Sequence, residues 1–232
     1  MSASELQTAV TTETLIQIMH RELAGLNLST NEYIQLANSI LDAALEKKLN
    51  TESVAGRYAA QAVTTIPARA GDVAIRPLNP TKDIELLHRW TAGQTGKEFL
   101  RSRIDNVSAD IDGLIANETN IFGIICDASD TPIGIVGFLN HDRSQRKAEL
   151  RKLIGDPRMR GMGYGKKATR IWLSYGLHGL RLRKIYLYTF DTNLRNIRIN
   201  EELGFKLEGI YRAENIIDGM PKDVIRMGLL LE

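Results

Sequence analysis

A mixed α/β domain carried behind a helical N-terminal extension is the fold that this 232-residue sequence predicts. Three observations predict it. Apolar residues recur at helical spacing through the first part of the chain, whereas from Asp72 onward β-branched apolar runs bounded by turn residues take over. Helical stretches separate several of those runs, which gives an alternating order of strands and helices. Near the end, Asp218-Gly219 stands between two long segments as a two-residue hairpin turn.

In the extension, residues 1–70, Leu15, Ile18, Met19, Leu23 and Leu26 form one apolar stripe. Ser29-Thr30-Asn31-Glu32 reads as a capping box: the serine accepts from the third amide and the glutamate reaches back. The helix that follows puts Tyr33, Leu36, Ala37, Ile40, Leu41, Ala44 and Leu45 on one face. A weaker Ala-rich stretch covers 53–63, and Thr64 to Gly71 reads as a linker. Two or three short helices bury too little surface for a core of their own. They are expected to pack on the main domain or on a second subunit of a homo-oligomer, with a partner-docking role as the alternative.

The main domain, residues 72–232, opens with a strand at Val73 to Leu78 and helices over 82–92 and 98–116. Strands follow at 120–126, 132–140 and 148–154, with Ala128 to Thr131 turning between the first two. A helix over 169–180, a buried strand over 184–190 and a helix over 193–203 lead to the terminal hairpin, 209–217 and 224–231.

Composition removes several classes. Hydrophobic residues make up 43% and the net charge is +2, so the chain is not disordered as a whole. Cys126 is the single cysteine, which excludes a disulfide framework. No apolar run approaches the roughly 18 residues of a membrane helix, and the N-terminus lacks the pattern of a secretory signal. The expectation is a cytoplasmic protein with no membrane partner. Charge is nevertheless uneven: between Arg143 and Arg170 ten basic residues meet only Glu149 and Asp156. Such a run is a solvated face or the footprint of a polyanion.

The segment Arg160-Gly161-Met162-Gly163-Tyr164-Gly165-Lys166-Lys167 lies inside that run, after a strand and before a helix. Bare glycines let a ligand reach the backbone, and the first amides of a helix are unpaired donors at the positive end of its dipole. That combination suits a phosphate, with charge from Arg160, Lys166 and Lys167. A nucleotide-hydrolase loop would need Ser or Thr after Gly-Lys, where this chain has Lys167. A dinucleotide fingerprint needs different glycine spacing in the first βαβ unit.

Arg160 to Gly165 resembles the R/Q-x-x-G-x-G/A signature of the GNAT superfamily of acyl-CoA-dependent N-acyltransferases. Asn193 and Asn200-Glu201-Glu202-Leu203-Gly204-Phe205 resemble its second signature. Phe205 to Gly209 and the Asp218-Gly219 hairpin look like the bacterial branch with ribosomal-protein alanine and spermidine acetyltransferases. The resemblance covers residues 72–232 and implies a mixed, largely antiparallel sheet flanked by helices. It also implies acetyl-CoA as cosubstrate, no metal, and an amine acceptor on a small molecule or a protein N-terminus rather than a nucleic acid.

By the same resemblance, Arg160, Gly161, Met162, Gly163, Tyr164, Gly165 and Lys166 hold the pyrophosphate. Leu153, Ile154 and Gly155 pair with the pantetheine, the Leu153 amide facing the thioester carbonyl, and Asn193 supports the arm from the opposite helix, a position that also suits a helix cap. Glu149 is the expected base, acting through water because four strand residues span about 13 Å. A tyrosine that protonates the leaving thiolate in relatives would stand at Asn200, and an amide has no useful acidity. Tyr164, Tyr186, Tyr188 and Tyr211 stay unranked, Cys126 reads as a core residue, and a CoA-binding module without turnover is the second reading.

Overall fold

The computed structural model describes residues 62–100, 110–190, 193–217 and 219–230, together with Ser29, Glu32, Gln35, Leu36, Asn38, Ser39, Gly56 and Tyr58. The chain divides into two compact units, Met1–Lys48 and Leu49–Glu232. In the first, the capping box is present: Glu32 accepts from the Ser29 amide at 2.8 Å and Ser29 Oγ accepts from the Glu32 amide at 3.5 Å. The described residues that follow are helical; the expected stripe from Leu15 to Leu26 lies outside the described residues.

The second unit is built on one sheet of eight strands in the order β1-β2-β3-β4-β5-β6-β8-β7. These are β1 Ala68–Ala70, β2 Val73–Pro77, β3 Ile121–Cys126, β4 Pro132–Asp142, β5 Lys147–Ile154, β6 Lys184–Phe190, β7 Lys206–Ile217 and β8 Met220–Leu230. All neighbours pair antiparallel except β5 and β6, which are parallel. A parallel pair needs a crossover, supplied here by α4, Tyr164–His178. The remaining helices are α1 Pro80–Ala92, α2 Gln94–Leu100, α3 Ile111–Ala116 and α5 Leu194–Glu202.

Two cores flank the sheet. On one face Trp172, Leu173 and Ala168 of α4 meet Phe138, Leu150 and Ile185, with Leu203 and Phe205 closing the end after α5. Phe138 and Trp172 stack with centroids 5.2 Å apart. On the other face Leu87, Phe99 and Ile111 of α1, α2 and α3 cover Phe122, Ile124, Ile135 and Leu153. Cys126 is buried in this second core, as expected of a core residue.

Three expectations change. The segment read as a linker supplies β1: Gly71, at φ +59, turns Ala70 back so that it pairs with Val73. Gly-Asp between two short β runs is hairpin chemistry. Asp110 separates α3 from α2, accepting from the Gly113 amide at 2.6 Å as an N-cap. The crossover helix begins at Tyr164, five residues ahead of the expected Thr169, because only Gly161 and Gly163 take left-handed dihedrals, φ +82 and +89. At the terminal hairpin Ile217 faces Met220 and Gly219 has φ +76, while Asp218 lies outside the described residues.

Residues ahead of β1 also belong to this unit. Tyr58 is 2% exposed and its hydroxyl donates to the Leu203 carbonyl at 2.8 Å, and the Val63 amide donates to Ser174 Oγ at 3.0 Å. A buried carbonyl that loses its donor costs about 1–3 kcal/mol. Tyr58→Phe is therefore expected to lower the unfolding free energy by about 1–2 kcal/mol in a urea titration, with the m-value unchanged.

Candidate active site

β5 pairs with β6 over only three positions, Lys147 with Lys184, Ala148 with Ile185 and Glu149 with Tyr186. Beyond Glu149 the strands diverge and the β6-side edge of β5 runs on without a partner strand. The β4 register decides which groups lie on that edge. Gly155 N donates to Ile133 O at 2.9 Å, and two residues away Leu153 faces Ile135. Antiparallel partners alternate between bonded and unbonded pairs, so Leu153 and Arg151 also turn their backbone groups toward β4. The Leu153 carbonyl shows the direction, since a Cβ on Gly134 would meet it at 2.3 Å. The edge groups are thus those of Lys152 and Ile154, one residue to either side of the amide singled out from sequence. Gly155 is covered: a Cβ there would meet the Trp90 ring at 2.1 Å.

The free edge leads into the glycine turn. Asp156 caps the short 3-10 turn Pro157–Met159, and Gly163 starts α4 by accepting from the Lys167 amide at 3.1 Å. Among the described residues the amides of Gly163, Tyr164, Gly165 and Lys166 meet no acceptor, as helix geometry requires of a first turn. Arg160 closes the end of the strand, Nε donating to Ile154 O at 2.9 Å and Nη2 to Gly155 O at 3.3 Å. Arg195, from α5, reaches the Gly161 carbonyl at 3.4 Å. The two lysines are already matched, Lys166 with Glu202 at 2.5 Å and Lys167 with Asp72 at 2.7 Å. Formal charge beside the bare amides therefore comes from Arg160 and from Arg195, which the sequence reading passed over.

Two cavities lie along β5. One, of about 270 Å³, is lined by Thr95, Leu153, Ile154, Arg160 and Gly165, and the other, of about 140 Å³, opens where β5 leaves β6 and includes Glu149, Tyr188, Asn196 and Asn200. Glu98, Phe99 and Lys152 line both, which makes the two one groove. Alternation along the pleat sends Glu149 and Arg151 to one side and Lys152 to the other. Glu149, 5% exposed, accepts from Arg151 Nε at 2.5 Å, and Arg151 Nη1 is held by the Phe99 carbonyl at 3.2 Å. One carboxylate oxygen of the expected base is thus committed to a fixed guanidinium.

On the other side Lys152 Nζ donates to Asn200 Oδ1 at 3.2 Å. Asn200 is fully buried, and its Nδ2 has no hydrogen-bond acceptor. Burial without a carboxylate partner pushes the Lys152 ammonium down from 10.5 to about 8. Of the four unranked tyrosines, Tyr188 lines the cavity, and burial raises its phenol well above the usual range. Asn193 caps α5, Oδ1 accepting from the Asn196 amide at 3.3 Å. Lys152 was legible only as one more member of the basic run, because β periodicity does not reveal where two strands part.

The family described as Acetyltransferase (GNAT) domain matches residues 72–206. This chain belongs to that family. Spermidine N(1)-acetyltransferase of Escherichia coli (strain K12) is 32% identical over 106 residues, 46% of this chain and 55% of that protein. The chain spans a little over half the length of the curated relatives it matches. A crystal structure of spermidine N-acetyltransferase from Vibrio cholerae in complex with CoA and spermine aligns with a TM-score of 0.59 at 25% identity, over 69% of this chain and 96% of that one. A dodecameric structure of the Vibrio cholerae enzyme aligns equally well, at 26% identity over 69% of this chain and 94% of that one. The GNAT fold expected from the two signatures, and their likeness to the spermidine branch, are both met.

The Lys152 ammonium predicts a pH effect with a definite sign. Between about 8 and 10.5 the unfolded chain holds a proton that the native site has released, so native stability rises with pH in that window. Relative to Lys152→Met, the wild type is expected to gain stability as pH goes from about 7 to about 10, measured by parallel denaturant titrations. Equal pH dependence of the two proteins would exclude the shifted lysine.

Proposed function

We propose that this chain binds acetyl-CoA along the free edge of β5 and transfers the acetyl group to a primary amine. The observation that carries the reading is the continuity of the groove, from bare helix amides, past an unpaired strand edge, into a cavity lined with polar side chains. The chemistry of the donor set fits the cosubstrate. Amides at a helix N-terminus with Arg160 and Arg195 alongside suit a diphosphate. The Lys152 amide and carbonyl and the Ile154 amide offer a peptide-like arm the pairing that another strand would take, the Ile154 carbonyl being held by Arg160, and Asn193 keeps a side-chain donor while it caps α5.

At the inner end the residues would act on protons. Glu149 retains one oxygen toward the cavity and takes up the proton released by the incoming amine, through water. Arg151 fixes that carboxylate, and Phe99 and Glu98 of α2 line the cavity beside it. The likeness to spermidine N-acetyltransferases makes a polyamine the first acceptor to try, and the dodecameric relative makes self-association the expectation for light scattering. The second reading, a CoA-binding module without turnover, stays as an outcome of the test.

Calorimetry with CoA and thiol release from acetyl-CoA with spermidine, spermine, an amino sugar and a peptide N-terminus test the proposal. Gly163 sits at φ +89, a conformation that Asn and Asp tolerate best after glycine. Gly163→Asp is expected to weaken CoA binding by about tenfold or more, the ~1.4 kcal/mol scale of a carboxylate set against a phosphate at a helix start. The neutral Gly163→Asn is expected to lose much less. CoA affinities equal in wild type and Gly163→Asp would remove the phosphate site, and binding without thiol release on every amine would favour the module.

In the same assay Glu149→Gln is expected to lower kcat by about 10²-fold, the usual contribution of a positioned base, with CoA affinity retained. An unchanged kcat would remove Glu149 from the chemistry.

A further inference from the structure

We propose that Lys152 is the proton donor to the departing CoA thiolate. The inference rests on the acetyl-CoA reading above. Transfer forms a bond from the acceptor nitrogen to the acyl carbon and breaks the carbon–sulfur bond, whose electron pair leaves on sulfur. The nitrogen must shed one proton and the sulfur must gain one. Lys152 Nζ gives its proton to sulfur and is left as a neutral amine, while the proton that the nitrogen releases passes through water to Glu149 and from there, again through water, back to Lys152, so that both groups end as they began.

Position argues for this residue first. Lys152 is the cationic side chain that lines both parts of the groove, so a thioester threaded from the glycine turn to the cavity passes its ammonium. Asn200 orients it by accepting from Nζ at 3.2 Å, and the same amide leaves a fully buried Nδ2 without an acceptor. The titratable and charged groups that share the groove with Lys152 are Glu98 from α2, Tyr188 from β6, Arg160 beyond the strand, and Glu149 and Arg151 from the other face of β5, while Asn200 from α5 is the group that meets its ammonium.

The alternatives are poorer acids. Guanidinium groups such as Arg151 and Arg160 do not release protons, and burial makes the Tyr188 phenol hold its proton harder. An ordinary lysine would share that defect, but burial brings Lys152 to about 8, close to the ~8.5 of an unperturbed thiol. Matched acidity lets the proton move either way at low cost, the condition for efficient general acid catalysis.

The experiment uses the full chain as wild type, Lys152→Met and Lys152→Arg, with acetyl-CoA and the panel amine that the wild type turns over fastest. Three readouts are taken: kcat against pH, calorimetric CoA affinity, and the pH dependence of acylation of the Lys152 amine in ligand-free protein, read by peptide mass. Wild-type kcat is expected to fall above about pH 8, and the free amine to titrate near the same value. Both variants are expected to lose about 10²-fold in kcat and the alkaline limb, while CoA affinity stays within about threefold.

An unchanged kcat in Lys152→Met overturns the proposal. So does retained activity in Lys152→Arg, which would show that a fixed charge suffices, and so does an acetyl increment on Lys152 after incubation with acetyl-CoA, which would make it an acceptor. If Lys152→Met does not fold, the ligand-free titration decides, and an amine titrating near 10.5 overturns the proposal. Wild-type CoA binding without transfer to any amine fails the acetyl-transfer reading and this inference together, whereas transfer that is indifferent to Lys152 fails the inference alone.

Discussion

Backbone hydrogen bonding is obligatory, and β5 is where this fold leaves it unfinished. A strand buried between two neighbours normally has both edges satisfied. Here β6 pairs with β5 for three residues and then turns away, so the groups of Lys152 and Ile154 face a groove instead of a strand. The helices follow from that opening. α4 cannot cross from β5 to β6 without starting beside the gap, and its first amides therefore lie at the gap's outer end. α5 closes the inner end with Asn196 and Asn200. One interrupted ladder sets the place of the glycine turn, the extended groove and the cavity at its inner end.

Polarity is distributed across the opening by the pleat. Glu149 and Arg151 lie on the side of α2, where two helix carbonyls hold the guanidinium. Lys152 lies on the side of α5, where the Asn200 amide meets it. Among the described residues the carboxylate is accompanied by a cation and the ammonium makes no ion pair, so the two ionisable groups are biased in opposite directions. That asymmetry comes from strand periodicity alone.

Much of this was written in the sequence, for identifiable reasons. Turn chemistry carries its own signature: Ser29 to Glu32 forms the capping box it spelled, and glycines 161 and 163 take the left-handed dihedrals that justify them. Strands with β-branched runs were equally legible. What stayed hidden depends on contacts distant in sequence. No local pattern says that Trp90 lies over Gly155 or that β6 departs after Glu149, whereas the β1 hairpin at Gly71-Asp72 carried a turn signal that the linker reading passed over. The same limit concealed Lys152 and Arg195, whose meaning rests on α5 and the loop being brought together.

The chain has two tryptophans, and the fold gives them separate surroundings. Trp172 is 1% exposed and stacked on Phe138 in the α4 core, shielded from anything that enters the groove. Trp90 is half-buried and lies flat against Gly155, next to the strand end that Arg160 clasps. One indole thus sits where only loss of the α4 core can expose it, and the other lines a separate cavity at the end of β5 with Gly155 and Arg160, so intrinsic fluorescence distinguishes unfolding of the core from a change around that strand end without any added label.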